Sequence, residues 1–266
     1  MKVFEVIKPT GTPIPVILSI PHSGTYFPES IRSQFNEKII QEPEDTDWHL
    51  GQLYDFAAEL GIVTIKANIS RWVIDLNRDP DSVPLYDDGR IITQLLPEKT
   101  FSGKNIYNNY SPTEEDRMFR LDHYYWPYYE AIQKRIEELK MSHPNILIWD
   151  AHSIKQKVTA ISNAAFPDLI LGDNEIRSAN PLLINKAIEI LNTAGYSFSH
   201  NHPFKGGHIT RYFGNPSKGI HALQLEMTKV NYMEKNELDY HEINASQLKA
   251  LLRKSMDILG KFVETL

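Results

Sequence analysis

The sequence predicts an α/β fold: a central mixed sheet, mostly parallel, flanked by helices and formed by residues 1–266 as a single domain. Three observations predict it. Short β-rich apolar runs alternate with stretches of helical periodicity along most of the chain. No internal repeat or low-complexity linker divides it. At 266 residues and 41% hydrophobic, the chain is long and apolar enough for one large core.

The elements follow in order. Residues 16–20 (VILSI) form a short buried strand that stops at Pro21. In DTDWHLGQLYDFAAELG the stripe Leu50, Leu53, Tyr54, Ala57 and Leu60 predicts a helix, with Asp45 as N-cap and Gly61 as its end. Residues 62–68 (IVTIKAN) and 71–76 (RWVIDL) are β-rich and read as strands. Residues 79–110 lack periodicity, and a segment of that length inside a compact domain is usually functional; it is expected to cover a site. Ser111, Pro112 and Glu114 match the N-cap, first-turn proline and acidic residue that open a helix. That helix runs through LDHYYWPYYEAIQKRIEELK, where Pro127 is expected to kink it. Residues 146–149, 168–172 and 220–227 read as strands, YSFSH as a short one, and 181–192 as a helix ending near Gly195. A terminal helix covers 245–262, with Asn244 and Gln247 as a capping pair.

Composition excludes several classes of function. A net charge of −6 offers no basic surface for nucleic acid or an anionic membrane. No apolar run has membrane-spanning length, and MKVFEVIKPTG is too short and polar for a secretion signal, so the expected location is the cytoplasm. The sequence sets no oligomeric state, and a monomer is compatible with it. With no cysteine, any metal must be held by histidine and carboxylate.

Two apolar runs end in imidazoles: ILSIPHSG at His22 and NILIWDAHS at His152. Sites in open α/β sheets form beyond the carboxyl ends of strands, so the two histidines are expected to share one. Strand alternation puts Asp150 on the side of His152, where it could orient the ring; alternatively it caps a turn. Catalytic zinc commonly takes two histidines and one carboxylate. Asp47 lies on the helical stripe and is the favoured carboxylate; Asp45 and His49 are alternatives, and both aspartates could serve only the helix N-terminus. SRWVIDLNRDP places Arg71, Asn77 and Arg78 together, a set suited to an anionic ligand. KGGHITRYFG adds paired glycines, Thr210 and Arg211, and Glu226 stands inside an apolar strand as either an ion-pair partner or a proton carrier.

PHSG, DTDWH, SRWVIDLNRDP, DAHS, KGGHITRYFG and HALQLEM, in this order, resemble the N-formylglutamate amidohydrolase family, which is related to zinc carboxypeptidases and aspartoacylase. The resemblance spans roughly residues 22–227 and implies a phosphorylase/hydrolase-like fold. It implies zinc, or another divalent metal, on His22, Asp47 and His152, with Glu226 as general base and Arg71 at the oxyanion. Asn77 and Arg78 would grip a substrate carboxylate, and Arg211, beside Thr210, a second one. In the relatives a glutamate follows the first zinc histidine by three positions; here Thr25 stands there, and Asp47 takes its place. The implied reaction is hydrolysis of N-formyl-L-glutamate, a small anionic N-acyl amino acid, within histidine degradation. The alternatives are another N-acyl amino acid or a carboxypeptidase-like substrate, and a non-catalytic binder of acidic metabolites.

Overall fold

The computed structural model describes residues 2–81, 94–193 and 195–266. Seven strands form one mixed sheet: β1 (Phe4–Ile7), β2 (Val16–Ile20), β3 (Val63–Ala67), β4 (Ile146–Ile154), β5 (Leu169–Gly172), β6 (Phe198–His200) and β7 (Ile220–Thr228). Their order is β1-β3-β2-β4-β7-β5-β6. The central strands β3, β2, β4 and β7 are parallel, whereas β1 pairs antiparallel with β3 and β5 antiparallel with β7.

Helices cover both faces, as the alternation of elements predicted. On one face α3 (Leu50–Leu53), α6 (Pro181–Asn192) and the long α8 (Glu242–Val263) enclose a core with Val16, Leu18, Leu147, Trp149, Leu223 and Leu225. On the other, α5 (Trp126–Lys140), which follows α4 (Glu114–Arg120), packs with Ile17, Ile65, Ile146, Ile148 and Ala222, and the short α1 (Glu29–Arg32) and α2 (Glu37–Ile40) add Ile31 and Ile40 to this core. Strand alternation explains where the site lies. Ile146 and Ile148 share a parity with Asp150 and His152, and Ala222 shares one with Gln224 and Glu226. The same face is therefore apolar at the start of β4 and β7 and polar at their carboxyl ends.

Several elements differ from expectation, each for a local reason. The helix over 45–61 is broken. Residues 43–48 turn, α3 spans only Leu50–Leu53 behind His49 at φ 61°, and a 3₁₀ turn follows at Asp55–Ala57. The apolar stripe is still buried, so it reported burial rather than a continuous helix. Residues 71–76 are not a strand but a run of turns, whose buried carbonyls are capped by side chains. Arg120 Nη1 donates to Val73 O, Tyr129 OH to Leu76 O and Tyr125 OH to Arg78 O, at 2.9, 2.9 and 2.8 Å. The aromatic cluster before and within α5 thus satisfies backbone groups that no sheet neighbour reaches.

α4 is capped by Thr113 rather than Ser111, in a reciprocal capping box with Asp116. Ahead of Pro127 the ladder widens to a π-turn over Leu121–Tyr125, where Trp126 N–H reaches Leu121 O. α8 begins at Glu242 with His241 as its cap, three residues before the expected start. β4 runs past Trp149 to Ile154, because β7 accompanies it further than β2 does. Residues 82–93, within the expected site-covering segment, lie outside the described residues.

Candidate active site

The loop after β2 is fixed before its histidine is aimed. Tyr26 N–H donates to Asn68 O and Ser70 N–H to Tyr26 O, each at 2.9 Å, which ties PHSGTY to the chain leaving β3. Gly24 is required there: a Cβ would meet Ile69 O at 2.2 Å. His22 Nε2 then lies 2.7 Å from Asp75 Oδ1. Asp75 is fully buried, and it also accepts from Arg71 Nη2 at 2.7 Å and Asn77 N–H at 2.9 Å, with Arg78 Nε 3.6 Å away.

His152 arrives from β4. Its Nε2 lies 2.9 Å from Asp150 Oδ2, so Asp150 orients the ring instead of capping a turn. Asp47 is held by its backbone, whose N–H donates to His22 O at 3.0 Å. The two imidazole centroids are 4.8 Å apart. Their Nδ1 atoms face one carboxylate, His22 at 3.9 Å and His152 at 3.3 Å from Asp47 Oδ2.

This group could hold a metal. One donor atom from each of His22, Asp47 and His152 lies within 4.8 Å of the others, and all three residues are buried. His22 Nδ1 and both oxygens of Asp47 are buried without a hydrogen-bond partner. Each histidine engages a carboxylate through Nε2, which directs the Nδ1 lone pair inward, as metal-bound histidines are commonly oriented. Carboxylates of Asp47, Asp75, Asp150 and Glu226 converge on this region against the guanidiniums of Arg71 and Arg78, an excess of negative charge that a cation would balance.

The alternatives left open by sequence, Asp45 and His49, lie outside this group. Asp45 accepts from Trp72 Nε1 at 2.9 Å and from Phe101 N–H at 3.1 Å, so its oxygens are engaged elsewhere. His49 points to Leu238 O, 2.6 Å from its Nε2. Thr25 is exposed.

The electrostatics follow from burial and these neighbours. Burial and the charge on Arg71 lower the pKa of His22. For His152 burial acts downward, but Asp150, Asp47 and Glu226 outweigh it and raise the pKa well above the ordinary value. Burial opposes ionisation of Asp47, yet its contacts with His152 and His22 hold the pKa low. Burial pushes Glu226 up to about 8. Glu226 pairs with His152 across β4 and β7.

A cavity of about 390 Å³ opens on this group, lined by His22, Asp47, His152 and Glu226 with Arg71, Arg78, Asn77 and Gln224. Phe101 lies under Arg71, 5.1 Å from its guanidinium carbon. Asn77 differs from expectation. Its amide nitrogen donates to Asp150 at 3.0 Å and its oxygen accepts from Ile209 N–H at 2.7 Å, so protein groups use it as a brace. Gly207 must be glycine beside that brace, since a Cβ would meet Asn77 Nδ2 at 2.4 Å. Thr210 and Arg211, on α7 (His208–Phe213), are not among the described lining residues. Thr210 is fully buried, and Arg211 Nε donates back to Gly206 O at 3.1 Å.

Sequence reasoning missed three residues. Asp75 was readable only as part of DLNR, although an acid among Arg71, Asn77 and Arg78 is a signal of a buried hub. Gln224, two residues before Glu226 on the same strand face, accepts from Gly207 N–H at 2.7 Å. Lys229 directly follows β7 and reads as a surface residue; it is buried, with its ammonium 3.4 Å from Glu44 O.

The model of one family, N-formylglutamate amidohydrolase, matches residues 14–233 of the chain. The chain belongs to the N-formylglutamate amidohydrolase family. It is therefore an enzyme that hydrolyses an amide. It is 37% identical over 258 residues to the N-formylglutamate deformylase of Pseudomonas aeruginosa, covering 96% of each chain. With the N-formylglutamate deformylase of Pseudomonas putida it shares 36% identity over 249 residues, 92% of each chain. The crystal structure of N-formylglutamate amidohydrolase from Ralstonia eutropha has the same fold, with a TM-score of 0.81 at 22% identity over 99% of both chains. No helix among the described residues is long and apolar enough to cross a membrane.

Proposed function

We propose that this enzyme hydrolyses N-formyl-L-glutamate to formate and L-glutamate with a zinc ion held by His22, Asp47 and His152, and that residues 1–266 act as one domain. The observation that carries the reading is the set of unpartnered donor atoms on His22 and Asp47, with Glu226 in register beside His152. The names of the two Pseudomonas relatives supply the substrate. Zinc, when bound, would lower the pKa of a coordinated water toward ~7.

Each side chain then has a task. Glu226 lines the cavity and takes the proton of the attacking water. It returns that proton to the amine as the carbon–nitrogen bond breaks. Arg71, steadied by Asp75 and the Phe101 ring, stabilises charge growing on the carbonyl oxygen; loss of one such donor typically costs about 2.7–4 kcal/mol. Arg78 binds a substrate carboxylate. Asn77 braces Asp150 and the start of α7, and we assign neither Thr210 nor Arg211 a substrate contact.

The test is direct. Purified protein supplied with zinc should release glutamate and formate from N-formyl-L-glutamate. Absence of release from this compound would overturn the assignment of substrate.

A further inference from the structure

The cavity has a second chemistry that a formyl group does not use. Beyond the two cores on the sheet faces, a third apolar cluster joins Ile154, Val158, Phe166 and Ile170 with Phe101, Ala160, Ile161 and Phe204. Five of these, Phe101, Ile154, Ala160, Ile161 and Phe204, line the cavity. Ile154 follows His152 by two residues on the same strand face, about 7 Å further along β4. The wall is backed by packing: Phe204 lies 5.3 Å from Phe166, and Ile170 pairs with Glu226 across β5 and β7. Arg71 and Arg78 belong to the segment leaving β3, which lies on the other side of β4 in the sheet order from β5 and β6; of the wall residues, Phe101 reaches across to Arg71.

A substrate with its carboxylate on Arg78, its carbonyl oxygen on Arg71 and its amide carbon beside His152 and Glu226 turns the alkyl end of its acyl group away from Arg78. That direction leads to the apolar wall. The cavity, about 390 Å³, lies within the ~300–1,000 Å³ range of pockets that hold drug-sized ligands. We propose that the wall receives an aliphatic acyl group and that the enzyme also hydrolyses N-acyl-L-glutamates with short alkyl chains, such as the acetyl and butanoyl compounds. The inference rests on the reading of Arg78 and Glu226 given above. The step is the same hydrolysis. Water oxygen bonds to the acyl carbon, the carbon–nitrogen bond breaks, Glu226 passes the proton to the leaving nitrogen, and a short-chain carboxylate and glutamate depart.

The experiment measures kcat/KM of the zinc-loaded protein on N-formyl-, N-acetyl- and N-butanoyl-L-glutamate. Each preparation is read as a ratio, so that a general loss of activity cancels. Turnover of the butanoyl compound is expected. Ala160→Trp, which fills the wall from a partly exposed position, should raise the formyl-to-butanoyl ratio about tenfold or more, the scale of methylene discrimination in an apolar pocket. Ile161→Ala, which enlarges it, should lower that ratio. Turnover of the formyl compound alone would overturn the inference and leave the proposed function standing. Turnover of the butanoyl compound alone would support the wall and overturn the formyl assignment. No turnover of any compound would overturn both, and an unchanged ratio in both variants would overturn the role of the wall.

Discussion

Replacing Asp75 by asparagine takes one charge from the interior and almost no volume. Asp75 is completely buried, and its oxygens accept from His22 Nε2, Arg71 Nη2 and Asn77 N–H at 2.7, 2.7 and 2.9 Å. Burial opposes its ionisation, but the charges on His22, Arg71 and Arg78 win and hold its pKa well below the ordinary carboxyl value. Asparagine keeps one acceptor and turns the other into a donor, so either His22 or Arg71 meets an N–H. A hydrogen bond to a charged group contributes about 1.5–3 kcal/mol. Loss of a carboxylate behind a metal-binding histidine typically lowers metal affinity about 10–100-fold, which is about 1.4–2.8 kcal/mol. The two magnitudes agree. Asp75→Asn should therefore bind zinc about 10–100-fold more weakly when the metal-stripped protein is titrated against a competing chelator. An affinity within about twofold of the unaltered protein would refute the claim that Asp75 orients His22.

Four further outcomes are expected. Glu226→Gln should keep zinc at the same stoichiometry while kcat falls about 10²–10⁴-fold; near-normal kcat would end the proton-carrier assignment. Arg78→Ala should raise KM for N-formyl-L-glutamate more than it lowers kcat, and an unchanged KM would remove the carboxylate contact. Stripping the metal should abolish hydrolysis, and zinc restored to about 100 times its Kd should stabilise the fold by about 2.7 kcal/mol, seen as a higher Tm. Burial, helped by the charge on Lys140, lowers the pKa of His221 to about 4 in the fold, and its Nδ1 accepts from Asn180 N–H at 3.2 Å. Its stabilising contribution is complete above the unfolded value of 6.5 and is lost as pH falls toward 4, about 2 kcal/mol of it by about pH 5. His221→Gln should flatten the pH dependence of unfolding by that amount, and identical slopes would contradict it.

Much of the site could be read from local pattern. His22 and His152 were visible because an apolar run that ends in an imidazole is a local signal, and two such runs in a parallel sheet share one edge. Asp47 was found through a helical stripe that does not exist as a continuous helix. The residue lies beside His22 and His152 because the turn over 43–48 ties its N–H to His22 O, and the stripe reported only that these residues are buried. For the same reason RWVIDL read as a strand: Trp72, Val73, Ile74 and Leu76 are all buried, and burial on every side looks the same in sequence whether the backbone is paired or turning. β1 was missed because its four residues are half-buried or exposed at the sheet edge, with little apolar signal.

The sequence by itself determined the layered α/β architecture, the absence of thiolate ligands, the two histidines and the inward carboxylate of Glu226. Each of these depends on residue type or on near-neighbour spacing. Only the tertiary structure decided that Asp75 and Asp150 aim the rings, that Asn77 is engaged by Asp150 and Ile209, and that Arg211 turns back to Gly206. These are matters of which lone pair or N–H is already engaged, and the partners lie far apart in sequence, 132 residues between Asn77 and Ile209. Local spacing carries no record of such pairings, because folding chooses them by satisfying buried polar groups across the whole sheet.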